Sequence, residues 1–389
     1  MIPRAALKTL HELAAGYPVV TVTGPRQSGK TTLSQAAFPE KPFVSLEEPD
    51  VRELASGDPR AFLSEFPQGA VIDEAQRCPE LFSYIQTRVD RERRMGQYVL
   101  TGSQQFGLLS GVTQSLAGRA GILHLLPFSL TELRGAGLEL PELAALLFKG
   151  LYPPLYDRPL RPDKWYADYA LTYLERDLRQ MLMIRDLTAF QRFLRMCAAR
   201  TGQLLNLSGL ASDCGISHNT ARSWLSVLEA SYLVFLLPPH TRNFGKRLVK
   251  SPKLYFLDPG LAAWLVNVQD PDHLSIHPQR GALFETLIVG ELLKARFNRG
   301  LASNLFFWRD NTGNEIDLLI DRGRTLTAVE IKSGQTVASD FTAGLERWRR
   351  TSAARGTSYL VYGGSASAAT GDTRILPWSG MGELLEALG

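Results

Sequence analysis

Val19-Val20-Thr21-Val22-Thr23 runs directly into Gly24-Pro25-Arg26-Gln27-Ser28-Gly29-Lys30-Thr31-Thr32, and this junction decides how the first third of the chain folds. The apolar and β-branched run reads as a buried strand. The residues after it fit the pattern GxxxxGK(S/T) in full, and a helical stretch follows at residues 31–38. Glycines let backbone N–H groups converge on an anion without Cβ clashes, and the helix N-terminus adds a positive dipole end. Such a loop cradles the phosphates of ATP. Gly24, Pro25, Arg26, Gln27, Ser28, Gly29, Lys30, Thr31 and Thr32 are its candidate binding residues. Lys30 reaches for the β- and γ-phosphates, and the Thr31 hydroxyl is a ligand for Mg²⁺. The alternative, a chance glycine-rich turn, does not account for strand, loop and helix in one register.

Working outward, Gly69-Ala70-Val71-Ile72-Asp73-Glu74 is a second strand ending in two carboxylates. Asp73 is placed to hold Mg²⁺, and Glu74 to polarise the attacking water as the catalytic base. Without the preceding loop, Asp-Glu before Pro79 would read as a helix cap. Tyr98-Val99-Leu100-Thr101-Gly102-Ser103 is a third strand with a polar tip. Thr101 or Ser103 there can sense the γ-phosphate or simply close a turn. Residues 122–126 read as another strand. Arg119 just before it is a candidate catalytic cation for a neighbouring subunit's nucleotide, with a solvated arginine as the bland alternative. Strands alternating with helices imply a parallel sheet covered on both faces.

The chain has 389 residues, too many for one ordinary domain. Hydrophobic residues make up 44% and charged residues 21%, which excludes a mostly disordered chain. The apolar run 232–237 stops at Pro238-Pro239, far short of the roughly 20 residues of a membrane span. No secretory signal is visible at the start, and the three cysteines form no CxxC pair, which fits a reducing, cytoplasmic setting. A net charge of +4 permits a polyanionic partner without demanding one.

Four stretches carry a resemblance to a known family: the phosphate loop, Ile72-Asp73-Glu74-Ala75-Gln76, Leu100-Thr101-Gly102-Ser103 and Leu116-Ala117-Gly118-Arg119. It continues through Leu174-Glu175-Arg176-Asp177 and Arg247-Leu248-Val249-Lys250-Ser251-Pro252-Lys253-Leu254-Tyr255. In these the chain resembles the AAA+-like prokaryotic ATPases that carry a C-terminal domain of unknown function, DUF4143. The resemblance implies ATP hydrolysis and assembly as a homo-oligomer, in a pair or a ring with nucleotide between subunits. A second-sensor arginine in an all-helical lid is the one family feature without an obvious counterpart.

Downstream, residues 207–213 form a short helix pattern, Cys214-Gly215-Ile216 a turn, and Ser217 an N-cap. Ala221, Trp224, Leu225 and Leu228 then fall on one buried stripe, leaving His218, Asn219, Arg222, Ser223 and Ser226 on the other face. This is helix-turn-helix spacing with a polar second helix. Arg242, Lys246, Arg247, Lys250 and Lys253 follow as a basic wing. Asn219, Arg222, Lys246, Arg247 and Lys250 are therefore candidate DNA contacts. A module serving only subunit contact is the equal alternative.

The last segment carries Asn314-Glu315-Ile316-Asp317 and Val329-Glu330-Ile331-Lys332 on neighbouring strands. Strand residues two apart share a face, so Glu330 and Lys332 project together and a hairpin brings Asp317 beside them. Glu285, inside an apolar helix pattern, needs a reason for a costly burial, and joining the metal site is that reason. Glu285, Asp317 and Glu330 as Mg²⁺ ligands, with Lys332 beside them, are similar to the PD-(D/E)xK nuclease superfamily, and the DUF4143 domain as a family looks nuclease-like. A salt-bridged Glu-x-Lys on an edge strand is the alternative.

The expected fold is α/β: a P-loop parallel-sheet ATPase domain (1–140), a helical connector (141–200), a winged helix (201–260) and a restriction-endonuclease-like domain (261–389). The expected function is ATP-driven DNA processing coupled to a nuclease-like domain. The alternative is a nucleotide-dependent switch that binds DNA or protein through an inactive nuclease fold.

Overall fold

Strand β1 (Val19–Thr23) is buried at every position, as a strand must be when helices cover both faces of its sheet. The computed structural model describes residues 1–102, 108, 112, 114–175, 186–240, 249–338, 340–352 and 357–388. The chain divides into two units. The first comprises residues 1–128 with 230–232 and 296–302, and the second comprises 129–229, 233–295 and 303–389.

In the first unit, β1 is joined by β2 (Phe43–Ser45), β3 (Ala70–Asp73), β4 (Tyr98–Gly102) and β5 (Ala120–His124). All pair in parallel, in the order β2-β3-β4-β1-β5. Alternate residues feed two cores. Val20, Val22, Val71, Val99 and Leu123 pack with Leu10 and Leu33 on one face. Val19, Ile72 and Leu100 pack with Phe62, Phe82 and Ile85 on the other. Each such buried side chain contributes on the order of 1.5–3 kcal/mol. The parallel sheet expected from the sequence is present. Strand β2 goes beyond the pattern, because its three half-exposed residues lack an apolar run.

The second unit begins with short helices, among them Leu130–Gly135, Leu143–Lys149 and Pro162–Tyr169. Tyr152, Trp165, Tyr166 and Tyr169 form one aromatic group there. The buried Asp258 carboxylate ties this region together. It accepts from Leu151 N (2.7 Å), Leu261 N (2.9 Å) and the Tyr166 hydroxyl (2.7 Å). Helix Leu187–Ala198, β6 (Gln203–Leu204), helix Leu207–Cys214, helix His218–Ala230, β7 (Val234–Leu237) and β8 (Lys253–Phe256) follow in order. The three strands make an antiparallel sheet, β6-β8-β7. Trp224 is a core residue and meets Phe190 and Phe193 edge-on at 5.2 and 5.4 Å.

Residues 270–280 look like a linker in sequence, but Pro271–Ile276 is a helix capped by Asp270, which accepts from His273 N at 2.7 Å. The long helix Arg280–Asn298 then leads to a separate sheet of β9 (Leu305–Arg309), β10 (Glu315–Asp321), β11 (Leu326–Lys332), β12 (Ser358–Tyr362), β13 (Ala368–Thr370) and β14 (Thr373–Pro377). Its order is β13-β14-β12-β11-β10-β9. β9, β10 and β11 form an antiparallel meander, while β11-β12 and β12-β14 are parallel. β13 is exposed throughout and so carries no apolar alternation in the sequence. Trp308 and Trp348 pack edge-on at 4.8 Å, with Trp348 on helix Ala343–Ser352. Among the described residues no helix is long and apolar enough to cross a membrane.

Candidate functional site

The phosphate loop sits between the end of β1 and helix Lys30–Ala37. Gly24 is required by close approach, since a Cβ there would stand 2.0 Å from the Leu125 carbonyl oxygen. Gly29 takes φ +89°, the left-handed region that favours glycine. Arg4 braces the loop from outside, donating to the carbonyls of Ser28 (2.6 Å) and Leu126 (2.7 Å). The Lys30 side chain is only 6% exposed. Its ammonium donates to the loop's own carbonyls, Gly24 O at 3.0 Å and Pro25 O at 2.8 Å. Burial pulls its pKa down to about 8, against the opposing pull of Glu74 and Asp73. The buried Ser28 hydroxyl has no hydrogen-bond partner among the described residues.

Asp73 stands at the tip of β3, where its carboxylate accepts from Thr31 Oγ1 (3.1 Å) and from the Thr101 hydroxyl. Burial raises the Asp73 pKa, and these two hydrogen bonds oppose the rise. A hydroxyl and a carboxylate set side by side next to a phosphate loop suit a hard cation. Glu74 adopts a left-handed backbone at φ +52°, and the Gln76 amide donates to its carboxylate. Gln76 in turn fits against β4 because residue 102 is glycine, where a Cβ would lie 2.2 Å from Gln76 Oε1. Arg119 is held bidentately by Asp90, at 2.6 and 2.9 Å. Ser103 lies outside the described residues.

Of the second expected set, Asp317, Glu330 and Lys332 come together, while Glu285 meets other partners. Register pairs Leu318 with Val329, so the next pair outward is Asp317 and Glu330. A β-bulge interrupts β10 between Ile316 and Leu319, a device that re-aims side chains at strand ends. Asp317 Oδ2 accepts from Ile331 N (2.8 Å) and pairs with Lys332 Nζ at 3.6 Å. Lys332 Nζ also donates to Glu330 Oε1 at 2.7 Å. Among the described residues, none donates to the buried Glu330 Oε2. Burial, with Asp317 nearby, pushes the Glu330 pKa up to about 7.

Glu285 lies beside this pair, but its Oε1 accepts from Lys253 Nζ (3.1 Å) and from the Tyr255 hydroxyl. Lys253 also pairs with Glu315, which Arg309 pairs at 3.1 Å. Among the described residues, no three His, Cys, Asp or Glu side chains are grouped so that they could hold one metal ion. Lys253, Tyr255, Glu315, Gln76 and Arg4 do not stand out as site residues in the sequence. Gln76, Lys253 and Tyr255 stand in the motif stretches without a role of their own, and Lys253 and Tyr255, like Glu315 and Asp317, are two apart on a strand and so share a face.

Three family models match consecutive stretches: an AAA domain over 16–134, a domain of unknown function named DUF8612 over 140–272, and DUF4143 over 280–381. Uncharacterized proteins of Mycobacterium tuberculosis and Mycobacterium bovis are each 33% identical over 339 residues, covering 86% of this chain and 74% of theirs. The chain belongs to the AAA+-like P-loop ATPases with a C-terminal DUF4143 domain. Among solved structures, the Walker-type ATPase of Pyrococcus abyssi is 17% identical with a TM-score of 0.46, over 68% of this chain and 96% of that one. The Holliday junction branch migration motor of Thermotoga maritima is 20% identical with a TM-score of 0.32, over 61% and 90%.

The DUF4143 stretch holds Glu285, Asp317, Glu330 and Lys332, while Lys253 comes from the stretch before it. In that preceding stretch His218, Asn219, Arg222, Ser223 and Ser226 are all exposed on helix His218–Ala230, as is Lys250 farther on. Lys246, Arg247 and Arg242 lie outside the described residues, as do Arg176 and Asp177 of the family motif. Lys253 does not lie at the surface with Lys250: it is 3% exposed, drawn inward by Glu285 and Glu315.

Proposed function

We propose that this ATPase hydrolyses ATP with Mg²⁺ and couples turnover to the handling of DNA. The observation that carries the reading is the Lys30 ammonium. It is buried, hydrogen-bonded to loop carbonyls, and close enough to Asp73 and Glu74 to feel their charge. A buried cation with no carboxylate directly on it gains most from a polyanionic ligand. Thr31 and Asp73 would hold Mg²⁺, which supplies charge neutralisation to the phosphates. Glu74 is the base for the attacking water, and Gln76 fixes the direction of its carboxylate. Arg119 would serve a neighbouring subunit in a homo-oligomer by exchanging Asp90 for phosphate.

The DNA part rests on the winged-helix order of helices and strands over residues 187–256 and on the polar face of helix His218–Ala230. Asn219 and Arg222 have the side chains that read base edges and phosphates. The test is steady-state ATP turnover with and without single-stranded, duplex and four-way DNA. Stimulation is expected with at least one. Turnover that is indifferent to all three, together with no salt-sensitive DNA affinity, overturns the DNA reading.

A second reading concerns the DUF4143 stretch. The convergence of Asp317, Glu330 and Lys332 supports a Mg²⁺-dependent deoxyribonuclease, with Asp317 and Glu330 holding the cation and Lys332 orienting water or phosphate. Metal-dependent nicking of plasmid DNA that disappears in Asp317→Ala and Lys332→Ala is the expected result. Nicking that persists in both variants excludes this site.

A further inference from the structure

We propose that Lys253 is the resident cation of the carboxyl-terminal cluster and keeps Glu285 from serving as a metal ligand. A divalent ion taken up there is then held by Asp317 and Glu330 alone. The proposal rests on reading that pair as a metal site, and it concerns a residue outside the DUF4143 stretch.

The geometry separates the three carboxylates expected to share one ion. Glu285 is engaged twice through one oxygen. Its Oε1 takes the Lys253 ammonium at 3.1 Å and the Tyr255 hydroxyl. Its Oε2 faces Gly202, where even a Cβ would come within 3.4 Å. Lys253 is equally tied down. It is 3% exposed, pairs with Glu315 too, and lies 5.7 Å from the Phe307 ring centre. Strand β8 places Lys253 and Tyr255 on one face, so both reach the same carboxylate. Turning Glu285 Oε1 toward a metal would strip an ammonium that is 3% exposed of one of its two anions, a costly exchange.

Asp317 and Glu330 differ. Lys332 spans them from a side chain that is one-third exposed, and among the described residues none donates to the buried Glu330 Oε2. That orphaned oxygen is where an added cation gains most. An ion entering the cluster also shares Asp317 with the Lys253 ammonium, whose charge acts on that carboxylate.

The experiment measures Mn²⁺ binding by electron paramagnetic resonance. It uses the full chain without nucleotide, in an Asp73→Asn background that silences the amino-terminal metal position. Lys253→Met is expected to tighten Mn²⁺ binding by about tenfold or more, and adding Glu285→Gln to it removes the gain. Glu285→Gln alone weakens binding by no more than about threefold, because the carboxylate is no ligand and Lys253 keeps Glu315. A loss of about tenfold or more in Glu285→Gln alone, the size expected when a metal ligand goes, overturns the proposal, and so does a folded Lys253→Met chain without a gain. If Lys253→Met does not fold, the single Glu285→Gln variant decides. Binding that survives Asp317→Asn overturns the underlying metal reading of the pair and the proposal with it, a result distinct from the others.

Discussion

Lys30 and Lys253 are both buried, at 6% and 3% exposure, yet their surroundings drive them in opposite directions. Lys30 is surrounded by carbonyls, and burial holds its pKa near 8. Burial also acts to lower the pKa of Lys253, but Glu285, Asp317 and Glu315 outweigh it and leave the pKa raised. The first ammonium is kept short of anions, and the second is saturated with them. A lysine of the first kind is poised for a ligand that brings its own negative charge. One of the second kind is a structural counter-ion.

The sharpest way to break this contrast is catalytic. Lys30→Ala and Glu74→Gln should each lower ATP turnover by about 10²–10⁴-fold, read as steady-state phosphate release. Unchanged rates in both would remove the distinction.

The next effect is on stability. Lys253→Met leaves Glu285 and Glu315 in place without their shared cation and should cost about 3–5 kcal/mol in denaturant unfolding. The Lys253→Met/Glu285→Gln double variant should recover part of that loss, and simple additivity of the two changes would contradict the pairing.

Lys30→Met should act the other way. A lysine whose folded pKa lies below its unfolded value costs stability while it is charged, and the cost is relieved as pH rises from about 8 toward 10.5. Removing the ammonium should therefore stabilise the ligand-free chain near neutral pH by about 1–3 kcal/mol.

The smallest effect sharpens the same point. Above pH 8 a growing share of Lys30 is neutral before nucleotide binds. The apparent Kd for ATP should therefore rise by up to about tenfold per pH unit, an effect absent in Lys30→Met.

How far each site could be read in the sequence follows from how far apart its parts lie. The phosphate loop is contiguous from Gly24 to Thr32, and Asp73-Glu74 is adjacent on one strand end, so residue type and spacing carried both. Asp317, Glu330 and Lys332 were readable because strand alternation and one hairpin suffice to bring them together. Lys253 was not. In sequence it closes a run of basic residues and looks like a solvent-facing wing. Its burial depends on β8 meeting helix Arg280–Asn298 and β10, a contact between segments more than 30 residues apart. Gln76 stands inside the motif Ile72-Asp73-Glu74-Ala75-Gln76, but its bond to Glu74 needs the left-handed backbone at Glu74 and the missing Cβ at Gly102.

The sequence by itself determined the parallel sheet, the phosphate loop and the acidic strand end, because these are set by local periodicity and by glycine's freedom from a Cβ. Only the tertiary structure decided which cation each carboxylate meets. Charges pair through space, and in the low-dielectric interior the nearest ammonium outweighs any neighbour along the chain.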